Sequence, residues 1–236
     1  MKFLYAIKSL LGELLALLIV IATAPINLAY FAAIPKEPGI PILLIHGYLH
    51  SSSAWIYLRR KLRQGGCGPI FTINLGSPFQ DFDQYALRVA SKAKWIEKVT
   101  KRSDLLLIGH SMGGVVAMHY TVKYAPNNSV RAVITLGSPL AGTKVAKIGL
   151  GACARQMECS SSFIQALEAL LKESKNATQF YHLGSLTDLM IIPNQSAFLP
   201  QGKCKSWNSI GHIGLLYSPK VAKYLVQTFQ RCNFSK

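Results

Sequence analysis

The chain has 236 residues, half of them apolar, and carries 26 lysines and arginines against 10 acidic residues, a formal charge of +16. That size and apolar content suffice for one α/β domain with a buried core plus appendages. The positive field favours anionic partners, but no zinc-finger spacing, RNP-like aromatic strand or basic helix with a dimerisation heptad accompanies it, so nucleic acid is not the expected partner. Two readings of the charge stand side by side: an anionic membrane surface, or a basic surface with no specific partner.

Lys2 and Lys8 precede Leu14 to Ile34, a stretch without a charged residue and long enough for one membrane span. Ala22-Thr23-Ala24 has the small-residue form of a signal-cleavage site. Pro25 follows it, however, and the apolar run continues through Leu28, Tyr30 and Phe31, past the length of an ordinary signal peptide. Residues 1–34 are therefore read as an uncleaved transmembrane signal anchor with a cytoplasmic N-terminus and the remaining chain extracytoplasmic, in the periplasm or outside the cell. The alternative is a cleaved secretory signal, which yields the same compartment. Residues 35–39, rich in proline and glycine, read as a linker, and 40–236 as the folded domain.

Ile40 to Ile45 is a short apolar run closed by His46-Gly47, the pattern of a buried strand. Ser51 to Ser53 offer caps for a helix with Trp55, Ile56, Leu58 and Leu62 on one face, ended by Gly65-Gly66. Pro69 to Leu75 reads as a strand. Asp81 to Arg102 reads as a helix with acids at its start and bases at its end, matching the macrodipole. Strands at Leu105–Ile108, Val130–Leu136 and Gln179–Leu183 alternate with helices at Met112–Tyr124, Ser162–Lys172 and Pro219–Gln230. This alternation predicts a mostly parallel sheet covered by helices on both faces.

Gly109-His110-Ser111-Met112-Gly113-Gly114 places a G-x-S-x-G sequence between an apolar strand and a helical pattern. A serine on such a sharp turn adopts strained angles, and glycines on either side relieve the crowding. Ser111 is the candidate nucleophile, and the N–H of Met112, at the start of the following helix, is a candidate oxyanion donor. A serine hydroxyl needs a base and a group to orient that base. Beyond Ser111 the histidines are His119, His182 and His212, and the one aspartate is Asp188. His119 falls inside a helix and His182 inside a strand. His212 lies in a glycine-flanked loop before the last helix and Asp188 just after a strand, giving the order Ser, Asp, His along the chain. Tyr48, following His46-Gly47, supplies the second candidate oxyanion N–H.

Together Ile45-His46-Gly47, the segment Gly109 to Gly114, Leu136-Gly137-Ser138-Pro139 and Gly211 to Ser218 resemble the compact bacterial triacylglycerol lipases and related esterases. The resemblance runs from about Pro41 to the final helix. It implies an α/β-hydrolase fold, carboxylic ester substrates with lipid or other apolar acyl groups, catalysis by Ser111, Asp188 and His212, oxyanion donors at Tyr48 and Met112, and no cofactor. Leu140 stands where related sequences often carry histidine, which implies a local difference near the acyl site. An acyltransferase or amidase with the same triad is the alternative within enzymology, and a silent binding module on the same scaffold is the alternative outside it.

Two further expectations concern packing. Phe163, Ile164, Leu167, Leu170 and Leu171 recur at helical spacing and read as core-facing, with a lid over the acyl groove as the second reading. Cys67, Cys153, Cys159, Cys204 and Cys232 lack the spacings of zinc sites or redox dithiols. No metal is expected, and Cys153 with Cys159 is the pair placed to close a short loop, buried free thiols being the other reading.

Overall fold

The computed structural model describes residues 35 and 37–231. The anchor expected over 1–34 and Cys232 lie outside the described residues. Among those described, no helix is long and apolar enough to cross a membrane. Of the expected linker, Glu37 is ion-paired to Arg63 at 2.6 Å, on the first helix of the domain.

Six strands, β1 (Ile42–Ile45), β2 (Ile70–Ile73), β3 (Leu105–His110), β4 (Val130–Leu136), β5 (Gln179–Ser185) and β6 (Lys203–Trp207), form one sheet in the order β2-β1-β3-β4-β5-β6. Every neighbouring pair is parallel, because each crossover runs through a helix or long loop that returns the chain to the same edge. The helices are α1 (Ile56–Gln64), α2 (Phe82–Thr100), α3 (Met112–Lys123), α4 (Ala152–Gln156), α5 (Ser162–Glu173), α6 (Gly214–Tyr217) and α7 (Pro219–Arg231).

Alternation along the strands divides the core between the two faces of the sheet. Leu43, Ile45, Leu105 and Leu107 pack with Val89 of α2, Val116 of α3 and Leu167 of α5. Ile42, Leu44, Leu106 and Ile108 pack with Leu58 of α1, Leu216 of α6 and Leu225 of α7. The strands bury both faces, which explains their continuous apolar runs. The α5 stripe is core: Ile164, Leu167 and Leu171 are buried, and Phe163 stacks on Phe82 at 4.4 Å.

Chain direction reverses beside β1. The chain leaves β1 toward β2 and then returns past β1 to β3, so a crevice opens between the carboxyl ends of β1 and β3. Register does the rest. Ile45 pairs with Gly109, His110 with Leu136, and Leu136 with Leu183. The loops after β1, β3, β4, β5 and β6 thus leave one edge in a row, carrying Tyr48, Ser111, Gly137, Asp188 and His212 respectively.

Several expectations are corrected here. β3 continues to His110 and β5 to Ser185, because the ladder to the neighbouring strand carries on past the apolar run. β6 was not expected, since Lys203-Cys204-Lys205-Ser206-Trp207 is an edge strand with no apolar run to mark it. Cys153 and Cys159 are both free. Cys153 is buried, with its thiol donating to the Pro78 carbonyl at 3.1 Å, while Cys159 is exposed.

Candidate active site

Ser111 sits between the last residue of β3 and the first of α3 with φ 54 and ψ −128, a conformation side chains rarely adopt. What makes it possible is the absence of side chains around it. A Cβ on Gly109 would overlap the backbone of Gly113, one on Gly113 would overlap the Ile45 carbonyl, and one on Gly114 would strike the Ser138 hydroxyl. The three glycines around the serine, Gly109, Gly113 and Gly114, therefore let α3 approach β1 and β4 closely enough to bend the chain at Ser111. The amide of Ser111 donates to the Leu136 carbonyl at 2.9 Å, which pins the turn to β4.

His212 and Asp188 meet at 2.8 Å between Nδ1 and Oδ2, and their side chains are only 6% and 1% exposed. A carboxylate accepts, so Nδ1 carries the proton and Nε2 is left with its lone pair. The other carboxyl oxygen of Asp188 accepts the amides of Met190 at 2.8 Å and Ile191 at 3.0 Å. Asn194 Nδ2 donates to the carbonyls of Asp188 and Ile191, both at 2.7 Å, closing this loop on itself. The acid is thus held from three sides by groups with little freedom to move.

A second tie joins the His212 loop to the serine turn. His110, wholly buried and adjacent to Ser111, has its Nε2 3.0 Å from the backbone carbonyl of His212, and the two rings lie 4.7 Å apart. Only a protonated Nε2 can donate to a carbonyl, so Nδ1 of His110 is bare. Burial, with the nearby His212 and His50 rings, pushes the pKa of His110 well below the ordinary histidine range. It is a fixed neutral donor, holding the loop of His212 to the turn of Ser111.

The loop after β1 is set by a third histidine. Leu75 N–H donates to His46 Nε2 at 3.0 Å, which leaves Nδ1 to donate to the Gly47 carbonyl at 2.9 Å. In a trans peptide the C=O and the next N–H point in opposite directions. Fixing the Gly47 carbonyl therefore fixes the Tyr48 N–H. Gly47 lies against the elbow, since a Cβ there would come within 3.0 Å of Ser111 Cβ. Met112 opens α3, where first-turn amides have no intrahelical acceptor. The expected donors thus flank Ser111 from two sides.

The structure brings Tyr48, Ser111, Met112, Asp188 and His212 to one sheet edge. It keeps the rejected histidines away: His119 Nε2 bonds to Asp83 at 2.7 Å, and His182, buried in β5, bonds to Thr135 and to the Gln201 carbonyl. Leu140 is buried within the core on the α2, α3 and α5 side. Three contributors were not singled out from the residues alone. They are His110, Asn194 and Gly137, whose φ of 55 and missing side chain leave room for the pair; a Cβ there would meet Asp188 Oδ2 at 3.2 Å and His212 Nδ1 at 3.3 Å. Only the Leu136-Gly137-Ser138-Pro139 turn signal could have drawn attention to the last. Among the described residues, no cluster of three or more histidine, cysteine or acidic side chains is arranged to hold a metal ion.

Known proteins share this architecture. A lipase from Bacillus licheniformis superposes with a TM-score of 0.69 at 18% identity, over 84% of this chain and 93% of its own. Lipase B from Aspergillus fumigatus gives 0.65 at 19% identity, over 86% of this chain and 55% of its own. In sequence, an sn-1-specific diacylglycerol lipase from Xenopus tropicalis is 33% identical over 101 residues, 41% of this chain and only 31% of that protein's length. These relatives come from a bacterium, a fungus and an amphibian, so the resemblance is not confined to bacterial enzymes. Residues 42–191, well over half of the chain and spanning β1, the elbow and Asp188, match the alpha/beta hydrolase family pattern, and the chain belongs to the α/β-hydrolase family.

Proposed function

We propose that the protein hydrolyses carboxylic esters with apolar acyl groups through a covalent acyl-enzyme. The observation that carries the reading is the buried Asp188–His212 pair tied through His110 to the residue beside Ser111. In this mechanism His212 Nε2 takes the proton of Ser111 Oγ as the oxygen attacks the ester carbonyl, and Asp188 stabilises the resulting imidazolium. The carbonyl oxygen becomes an oxyanion and receives the N–H groups of Tyr48 and Met112. Collapse of the tetrahedral species breaks the C–O bond, with His212 returning the proton to the leaving alcohol. Water then repeats the sequence on the acyl-serine and releases the acid.

An apolar acyl group suits the exposed Leu189 and Met190 that directly follow Asp188. The relatives named as lipases support the same substrate class. The proposal extends to location: the uncharged stretch Leu14 to Ile34 anchors the chain in a membrane, with the hydrolase domain extracytoplasmic. A fluorophosphonate probe tests the chemistry. It should label the wild-type protein on one serine, identified as Ser111 by peptide mass mapping, and should not label Ser111→Ala. Labelling that persists in folded Ser111→Ala, or a wild-type protein inert to the probe and to short-chain p-nitrophenyl esters, would refute the assignment.

A further inference from the structure

Ten large apolar side chains are exposed among the described residues, and their distribution is uneven. Leu87 and Trp95 lie on α2. The other eight lie on the loops at the carboxyl edge of the sheet, around Ser111. The most exposed are Ile148 at 86%, Leu150 at 68%, Leu49 at 65% and Leu189 at 62%. Single exposed apolar residues are ordinary, but a contiguous set marks an interaction surface.

Hydrogen bonds join the loops that carry these residues. The Tyr48 hydroxyl donates to the Leu150 carbonyl at 3.0 Å and accepts the Leu150 amide at 3.1 Å, which ties the loop carrying Leu49 to the segment carrying Leu150. The Ala152 amide donates to the Phe79 carbonyl at 3.0 Å and adds that ring to the same patch. On the other flank, Thr143 Oγ1 donates to the Met190 carbonyl and the Lys144 amide to the Ile192 carbonyl, both at 2.8 Å. The turn Lys144–Ile148 therefore links the loop bearing Tyr48 to the loop bearing Asp188, and it carries Ile148 outward.

Charge identifies what this surface fits. Lys144, Lys147 and Arg155 are exposed on the same segment, and no acidic residue occurs between Asp104 and Glu158. After Asp188, itself buried, none occurs to the end of the chain. Aliphatic tips flanked by long basic side chains match a bilayer whose acyl layer lies beneath anionic phosphates, because lysine stems lie along apolar surface while their ammonium groups stay at the headgroups. We propose that this collar docks on an anionic phospholipid bilayer. Ile148, Leu150, Leu49 and Leu189 enter the acyl layer, and Lys144 and Lys147 engage headgroup phosphates, so the mouth over Ser111 faces the lipid. The inference goes beyond the ester-hydrolase reading and stands without it.

The test uses the full chain, with Cys159, Cys204 and Cys232 replaced by serine and a nitrobenzoxadiazole fluorophore placed on Ile148→Cys or, as the remote control, on Leu87→Cys. Both are bound to vesicles of phosphatidylcholine, with or without about one third phosphatidylglycerol, that contain a lipid with a nitroxide on its acyl chain. A label at 148 reports local insertion however residues 1–34 behave. It should be quenched several-fold more on the anionic vesicles than on the neutral ones, with no quenching at 87. Lys144→Gln with Lys147→Gln should remove that difference between vesicles. Quenching at 148 no greater than at 87 would overturn the proposal, and equal quenching on both vesicles would overturn its anionic headgroup part. Shielding of the 148 label at high protein concentration without vesicles would instead show that the collar pairs with a second copy of the chain.

Discussion

Two histidine–aspartate pairs occur in this domain at nearly the same distance, 2.8 Å for His212–Asp188 and 2.7 Å for His119–Asp83. In both, the imidazole is buried. The difference lies in the nitrogen engaged and in the surroundings of the acid. Asp188 takes Nδ1 of His212, on the loop that leaves the sheet edge beside the elbow, so the proton sits on Nδ1 and not on Nε2. Asp83 takes Nε2 of His119, whose Nδ1 is buried with no hydrogen-bond partner among the described residues. Asp188 is sealed from solvent and satisfied by backbone amides. Asp83 is half exposed and shared by His119, Lys123 at 2.8 Å and Tyr124 at 2.6 Å, ties that hold α2 against α3. Burial alone would raise the Asp83 carboxyl, but these donors outweigh it and hold the group well below the usual carboxylate range. His119 is kept neutral by burial, which outweighs the attraction of Asp83. The distance between an imidazole and a carboxylate therefore does not distinguish the two pairs; the nitrogen that the carboxylate engages and the element that carries the ring do.

The same substitution at both acids gives the sharpest test. Asp188→Asn should lower kcat/KM for a p-nitrophenyl ester about 10⁴-fold, because the amide can donate to Nδ1 and leave the proton on the wrong nitrogen of His212. Circular dichroism should be unchanged. An active Asp188→Asn would remove the distinction drawn between the pairs. Gly137→Ala probes the space that the Asp188–His212 pair occupies. The added methyl group falls 2.9 Å from Leu215 Cδ1 and close to both partners at a φ of 55, so kcat/KM should fall on the order of 100-fold through misplacement. Thermal unfolding should show a loss of about 1–3 kcal/mol.

The smallest effect on turnover is expected at the other acid. Asp83→Asn should leave kcat/KM within about twofold of wild type and reduce stability by about 1 kcal/mol or less at neutral pH, since half-exposed ion pairs are screened by solvent. The sign with pH follows from the direction of the shift. A carboxyl that titrates lower in the folded protein than in the unfolded chain stabilises the fold above its unfolded pKa of about 3.9, and that contribution fades as acid protonates it. The stability gap between wild type and Asp83→Asn should therefore narrow below about pH 4. Urea unfolding at neutral and acid pH measures it, and a gap that widens in acid would show that Asp83 is not held by these donors.

The alternation of short apolar runs with helical stripes was enough to determine a parallel sheet between helices, because burial on both faces leaves its mark on every central strand. The elbow was equally legible: a serine between glycines at a strand-to-helix boundary is a local steric solution, written in adjacent residues. The sequence also separates His212, on a loop, from His119 and His182 at periodic positions, and the structure sets His212 against Asp188. Other features depended on tertiary structure. β6 leaves no mark in the sequence because Lys203 to Trp207 forms an edge whose pairing with β5, not its composition, makes it a strand. His110 fills a variable position of the G-x-S-x-G motif, and only the fold brings its Nε2 to 3.0 Å from the His212 carbonyl, 102 residues away. Gly137 matters because β4 stands between β3 and β5, which places its turn against Asp188 and His212. Such roles arise from register and strand order, and these bring together residues whose local sequences carry no record of one another.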